Sequence, residues 1–484
     1  MTNKISFLIA CSLCLIFFLA YAVLALVRHD HYQSYGYDLG INDQAVWRYS
    51  TFQAPVTTID PYPDKTKLYT HVELVYAFIA PFYWIWNSEK MLLLLEKAFV
   101  CAGGIAIYLL AKKKGLRELL SLAVMIGYLG FYGVQNAIWV DVHSVSFAAA
   151  FLAWFIYFLD GKKLWGTIIF FLLAMTAKEN IALYLLSIAF IYFLKRRDKT
   201  TMLLMLGSAT YLFFIFYIYF PQIIHFHYPY QNKAGLLSNL NPLDLFNTPE
   251  KRQAIGYALM SFGFLPLLLP WYLLPTLANF ATYFVIASDL PGAQGLFGQY
   301  RITLAPFLAW ATILTIAKYK KLNSPPVAIY LLLWTMFVQY FLHLPLSYLS
   351  KSWFWQEPAA VKNINLIRNN DLPRTASVVA QNNIIPHISH RDKIYELYPE
   401  KKSFTQQSPC GKPQCNWFRW YNDPEFLFVD TSPEWDIRHF LADRPDYLDG
   451  LANLEKAGII QKYKQIDNAI LYKVLRNPNL FDAR

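Results

Sequence analysis

The sequence predicts an α-helical polytopic membrane protein of about 11 transmembrane helices with a small α/β domain at its C-terminal end, and three observations carry that reading. Of its 484 residues, 56% are hydrophobic and only 15% are charged, which favours repeated apolar spans over one soluble core. Its apolar runs recur at about the ~20-residue length that crosses a bilayer. From Lys351 onward the runs stop, and roughly 130 residues of mixed composition follow, the size of an ordinary soluble domain.

The first run, 5–27, has Lys4 in front and no small-residue cleavage pattern behind, so it predicts a retained helix. Further helices are predicted over 91–111, 119–134, 144–159, 164–177, 181–194, 202–220, 255–269, 271–287, 302–317 and 327–349. The stretch 71–86 is marginal in length, rich in Trp and Tyr, and interrupted by Pro81. Those features predict a juxtamembrane segment within a first outward loop, 28–90. The chain then divides into a membrane domain, 1–350, and an extracytoplasmic domain, 351–484.

The net charge of +11 sits largely in short clusters between apolar runs: "KKKG" at Lys112, "GKK" at Lys162, "KRRDK" at Lys195 and "KYKK" at Lys318. Positive charge so placed marks cytoplasmic ends and speaks for topology, not for nucleic acid. The intervening loops, which hold the acids and histidines, face outward, and so does the distal domain. There "ASVVAQ", "KIYEL" and "EFLFVD" read as buried strands, while "PEWDIRHFLAD" and "LDGLANLEKAG" have helical spacing. No Walker loop, dinucleotide fingerprint or internal repeat occurs, which argues against an ATP-driven pump. Cys11, Cys14 and Cys101 fall in apolar runs as packing residues; Cys410 and Cys415 flank a polar "GKPQ" and form either a disulfide or a free pair.

Ionisable groups at membrane level are costly and mark function. In "YDLGINDQAVW", Asp38 suits a general base or a helix cap, and Asp43 and Gln44 suit substrate contacts. "THVEL" and "WVDVHS" each set a histidine two residues from an acid, and His71, Glu73 and His143 are the donor types a divalent metal takes if their loops converge, with Asp141 beside them. Lys178 and Glu179 in "AKEN" form either an ion pair or a site wall. Arg301 in "GQYRITLAPF" can hold a phosphate through paired hydrogen bonds or snorkel to the interface. His225 and His227 lie among aromatics that suit a sugar ring or an interfacial belt.

In "YDLGINDQAVW", "WVDVHSVSF", "AKEN", "GQYRITLAPFL" and "ASVVAQNNIIPHISHRDKIYELYP" the chain resembles, over nearly its whole length, a bacterial membrane-protein family of unknown function (domain of unknown function 2079). That family is itself similar to C-type-fold (GT-C) glycosyltransferases. Where the family has His, an aromatic, Ser and Pro, this chain has Val72, Glu73 and Leu74 after His71. The resemblance implies a multi-pass protein of the bacterial inner membrane and a sugar donor linked to polyprenyl phosphate. It also implies transfer to an extracytoplasmic glycan, lipid or protein, often with inversion at the anomeric carbon. Asp38 matches the first-loop base, Asp141 supplements it, and Arg301 or Lys178 neutralises the departing phosphate. A flippase of lipid-linked saccharide and a noncatalytic envelope-assembly scaffold are the alternatives; the lack of a polar pathway through the midplane counts against the first, and convergence of Asp38, Glu179 and Arg301 would count against the second.

Overall fold

The structure is a computed structural model that describes residues 3–60, 65–226, 242–286, 291–399, 418–420 and 422–476. Cys410, Cys415, His227, Asp64 and Asp289 lie outside the described residues. The chain divides into two compact units. One comprises Met1–Ala25, Leu68–Phe78 and Leu93–Lys351; the other comprises Leu26–Lys67, Ile79–Leu92 and Ser352–Arg484.

The first unit is helical. Among the described residues, five helices are long and apolar enough to cross a membrane: Lys4–Asp30, Glu89–Lys113, Glu118–Trp139, Lys199–Ile223 and Gln299–Lys318. Val75–Trp84, Ser144–Asp160, Leu164–Met175 and Pro325–Phe341 are apolar but shorter. About 11 full spans were expected, and the difference has a backbone cause. Helices were expected over 255–269 and 271–287, but the helix Pro249–Met260 runs into Gly263 and Phe264, both at φ 57, and then into turns opened by Pro266 and Pro270. A left-handed pair followed by prolines ends a helix however apolar the segment is. Similarly, Pro325–Phe341 stops before His343, at φ 48, instead of continuing to 349. The stretch Val75–Trp84 is apolar but falls well short of the ~20 helical residues that cross a bilayer, and its second half, Ala80–Trp84, is a 3-10 helix opened by Pro81.

Helix Ser144–Asp160 packs on Leu164–Met175 and on Ile181–Arg196, with Ala148, Ala149, Ala150 and Ala153 buried along it. Small side chains allow such close backbone approach. Asp160 ties the basic ends together. It lies 3.4 Å from Lys113 Nζ and 2.6 Å from Lys114 Nζ, and it accepts from Tyr192 at 3.0 Å.

The second unit is built on a five-stranded mixed sheet in the order β2-β1-β5-β7-β6. β1 is Val378–Ala380, β2 Ile394–Glu396, β5 Phe426–Asp430, β6 Ile460–Ile466 and β7 Ala469–Val474; β3 (Tyr398–Pro399) and β4 (Phe418–Arg419) form a separate pair. β1 runs parallel to β2 and β5, and β1, β2 and β5 are buried along their whole length, as parallel strands covered on both faces should be. β6 is the exposed edge, where Lys462 and Lys464 discourage further pairing. Its two-residue turn to β7 carries Asp467 at φ 49. Helices Ala359–Asn370 and Arg444–Lys456 pack on this sheet. The hydrophobic core also contains Tyr32, Ile41 and Ile59, so much of the first loop folds with the distal segment and not with the helical unit.

Candidate active site

The segment around Asp38 is shaped by two glycines. Gly36–Gly40 forms one wide helical turn that leads directly into the helix Ile41–Ser50. A Cβ at Gly36 or at Gly40 would come within 2.8 Å of the Ile385 side chain, so only glycine lets this turn press against the distal segment. Gly36 N donates to Asn382 O at 2.7 Å and Tyr37 N to Asn382 Oδ1 at 3.2 Å. Asp38 is thereby held, half-buried, on a fixed backbone turn. Glu396, only 2% exposed at the end of β2, is pushed up to about 8, first by burial and then by the charges of Asp38 and Asp60. Three carboxyl groups therefore share one neighbourhood.

Asp43 and Gln44 are placed inside the fold and are fully buried. Asp43 accepts hydrogen bonds from the Tyr83 hydroxyl and, at 2.5 Å, from Ser389 Oγ, and its Oδ2 lies 2.9 Å from His390 Nε2. Burial acts to lower the His390 pKa, but the Asp43 carboxylate outweighs it and holds the imidazole above its ordinary value. Gln44 donates to Thr58 Oγ1 at 3.0 Å and to Arg391 O at 2.9 Å, and accepts from Thr58 N at 2.9 Å. Both side chains tie the first loop to the distal segment at residues 389–391, in a helix whose residues 41–46 are all buried, apolar and polar alike. His390 and Ser389, which complete the Asp43 arrangement, were missed; "HISHRD" signals them by its density of titratable groups.

In the helical unit the structure brings together three of the stretches marked in the sequence. His71 Nδ1 lies 2.9 Å from Glu179 Oε1, and Val72 N donates to Glu179 Oε2 at 3.1 Å. Glu73, 5% exposed, accepts from Ser144 Oγ at 2.6 Å. His143 N donates to Glu96 Oε1 at 3.1 Å, and Glu96 pairs with Lys97 at 2.5 Å, both fully buried. Glu96 and Lys97 were also missed. Their signal is a pair of opposite charges inside the apolar run "LLLLEKAFV". Asp141 is buried at φ 78, in the turn before helix Ser144–Asp160, and Lys178, the residue before Glu179, is half-buried.

Arg301 is fully buried and does not reach outward. It donates to Asn279 Oδ1 at 3.1 Å and to the Ala293 carbonyl, with its guanidinium 4.5 Å from the Phe284 ring centre and 5.3 Å from that of Tyr283. Its backbone lies so close to Gly133 that a Cβ there would be 2.6 Å from the Arg301 oxygen.

Among the described residues, His29, Glu89 and His387, in the loop-and-sheet unit, form a group with ligand atoms within 4.8 Å of one another. His71, Glu73 and His143 do not form such a set among the described residues, since their spacing serves protein hydrogen bonds instead.

The fold is similar to that of the crystal structure of ArnT from Cupriavidus metallidurans bound to undecaprenyl phosphate, with a TM-score of 0.57 over 96% of this chain and 97% of that one at 12% sequence identity. No curated protein matches the sequence. The family described as predicted membrane protein (DUF2079) matches residues 28–439, a stretch that includes both buried acid clusters and three of the five strands of the distal sheet, and the chain belongs to that family.

Proposed function

We propose that this protein transfers a sugar from a polyprenyl-phosphate carrier to an extracytoplasmic acceptor, with Asp38 as general base. The observation that carries the reading is the fold shared, over nearly the whole of both chains, with a protein bound to undecaprenyl phosphate. A carrier of that kind keeps its tail in the bilayer and presents its phosphosugar at the boundary, where a first-loop carboxylate can meet it. In the reaction Asp38 takes the proton of an acceptor hydroxyl, and the hydroxyl oxygen attacks the anomeric carbon. The bond from that carbon to the carrier phosphate breaks, and the phosphate leaves with the electron pair. Arg301, already committed to Asn279 and to aromatic faces, fixes the loop before its helix.

Proton abstraction by a positioned base accounts for about 10²–10⁴ in rate. Asp38→Asn should therefore fold and insert normally but lose transfer by about that factor in purified membranes given labelled polyprenyl-phosphate sugars. Normal transfer by the variant would reject Asp38 as the base. Comparing envelope glycans and lipid-linked sugars between a deletion strain and the Asp38→Asn strain would identify donor and acceptor.

A further inference from the structure

The loop-and-sheet unit contains a cavity of about 570 Å³ that the transfer step does not use. Three guanidinium side chains, Arg368, Arg374 and Arg391, face it against one carboxylate, Glu89. Arg368 closes the helix Ala359–Asn370, Arg374 lies just beyond it, and Arg391 precedes β2. Arg391 is 8% exposed, and its Nη1 donates to the backbone oxygens of Pro373 at 2.5 Å and Ala376 at 3.1 Å, which fixes the guanidinium fork in the wall. Burial lowers its pKa to about 10, so it stays charged at neutral pH. Arg391 is the buried one of the three, Arg368 being half-exposed and Arg374 exposed, and a buried cation held only by backbone oxygens favours an incoming anion. Glu89 is engaged elsewhere, with His29 Nε2 3.1 Å away.

The histidines on this wall do not make it a metal site. His387 is stacked between His29 and Tyr32, with ring centres 4.1 and 3.8 Å apart and only 19° between the two imidazole planes. Ring nitrogens bind metal along lone pairs in the ring plane, and in two parallel stacked rings those directions cannot converge on one ion.

We infer that this cavity binds a phosphate-bearing saccharide, its phosphoryl group on the arginine forks and its sugar against Asn87 and Asn369. Three arginines face one carboxylate, and His390 with its raised pKa adds to the same positive wall, which suits a phosphoryl group, and several forks suit an acceptor with three terminal oxygens. A sugar carboxylate would satisfy one fork alone. The volume lies within the ~300–1,000 Å³ of small-molecule sites, far more than bare phosphate fills. Leu372 and Ile388 are the apolar side chains on an otherwise polar wall, which favours a sugar over a lipid chain next to the phosphate. The inference stands whether or not Asp38 is the base.

The test is equilibrium binding to the full-length protein in detergent, by calorimetry, with glucose 1-phosphate, glucuronic acid and decyl phosphate as probes. Glucose 1-phosphate should bind saturably, and the Arg368→Gln/Arg374→Gln double variant, altered at half-exposed and exposed positions, should weaken it by at least about tenfold with unchanged thermal unfolding. Glucuronic acid should bind more weakly. Absence of saturable glucose 1-phosphate binding, full retention by the double variant, or equal binding of glucuronic acid would overturn the assignment. Tighter binding of decyl phosphate, lost in the same variant, would overturn the saccharide and make the ligand a lipid phosphate.

Discussion

Burial opposes charge, and Glu396 illustrates how much of this protein's pH response rests on single side chains. Its carboxyl titrates at about 8 in the folded chain against an ordinary 4.5, through burial and through the Asp38 and Asp60 charges. Between those two pH values the folded protein holds a proton that the unfolded chain has released, so stability falls as pH rises from about 4.5 to about 8 and levels off above. The slope has a ceiling of about 1.4 kcal/mol per pH unit. His390 acts in the same direction. Its raised pKa contributes stability that is complete below about 6.5 and is lost as pH climbs through the folded value. Thermal unfolding in detergent from pH 5 to 8 should therefore show a falling Tm, and Glu396→Gln should remove the part below pH 6.5. Asp38→Asn should end the fall at a lower pH, since one of the two neighbouring charges is gone. A variant that keeps the full wild-type slope would show that Glu396 is ionised throughout.

The contact of the Gly36–Gly40 turn with Ile385 makes a prediction about an element. Gly40→Ala places a Cβ 2.8 Å from Ile385 Cγ2, and overpacking of this kind costs about 1–3 kcal/mol. Ile385→Ala opens the space, so the double variant should be more stable than the sum of the two single effects predicts, measured as a double-mutant cycle of Tm values. Strict additivity would mean that the two do not touch. The same scale shows what could be read in advance. The strands in "ASVVAQ", "KIYEL" and "EFLFVD" were legible because each is a short, wholly buried β-branched or aromatic run. The β6–β7 hairpin was not, because "IQKYKQI" is an edge strand whose exposed polar residues hide the pattern. Hydropathy likewise merged the segments around Pro266 and Pro270 into full spans, since it counts apolar residues and is blind to a left-handed pair.

For the whole molecule, the stretches carrying chemistry were legible from charge placed among apolar residues, but their partners were not, because contacts such as Asp43 with Ser389 span 346 residues of sequence. The same long-range contacts mean that the loop-and-sheet unit is assembled from three separate pieces of chain. Tyr32, Ile41 and Ile59 are 1%, 4% and 1% exposed within its core, each worth about 1.5–3 kcal/mol of burial. A chain cut after Lys351 would leave these side chains without their partners and Asp43 without Ser389 and His390. Arg48, whose Nη2 now donates to Asp392 O at 2.8 Å and whose side chain is 13% exposed, would be released with them. Limited trypsin digestion followed by mass spectrometry should then show rapid cleavage after Arg48 in the shortened protein and slow cleavage in the intact one. Residues 352–484 alone, lacking the same three core side chains, should give a broad, weakly cooperative unfolding transition. Equal protection of Arg48 in both proteins would mean that the first loop folds without the distal segment, and the Asp38 turn would then owe its position to something other than Ile385 and Asn382.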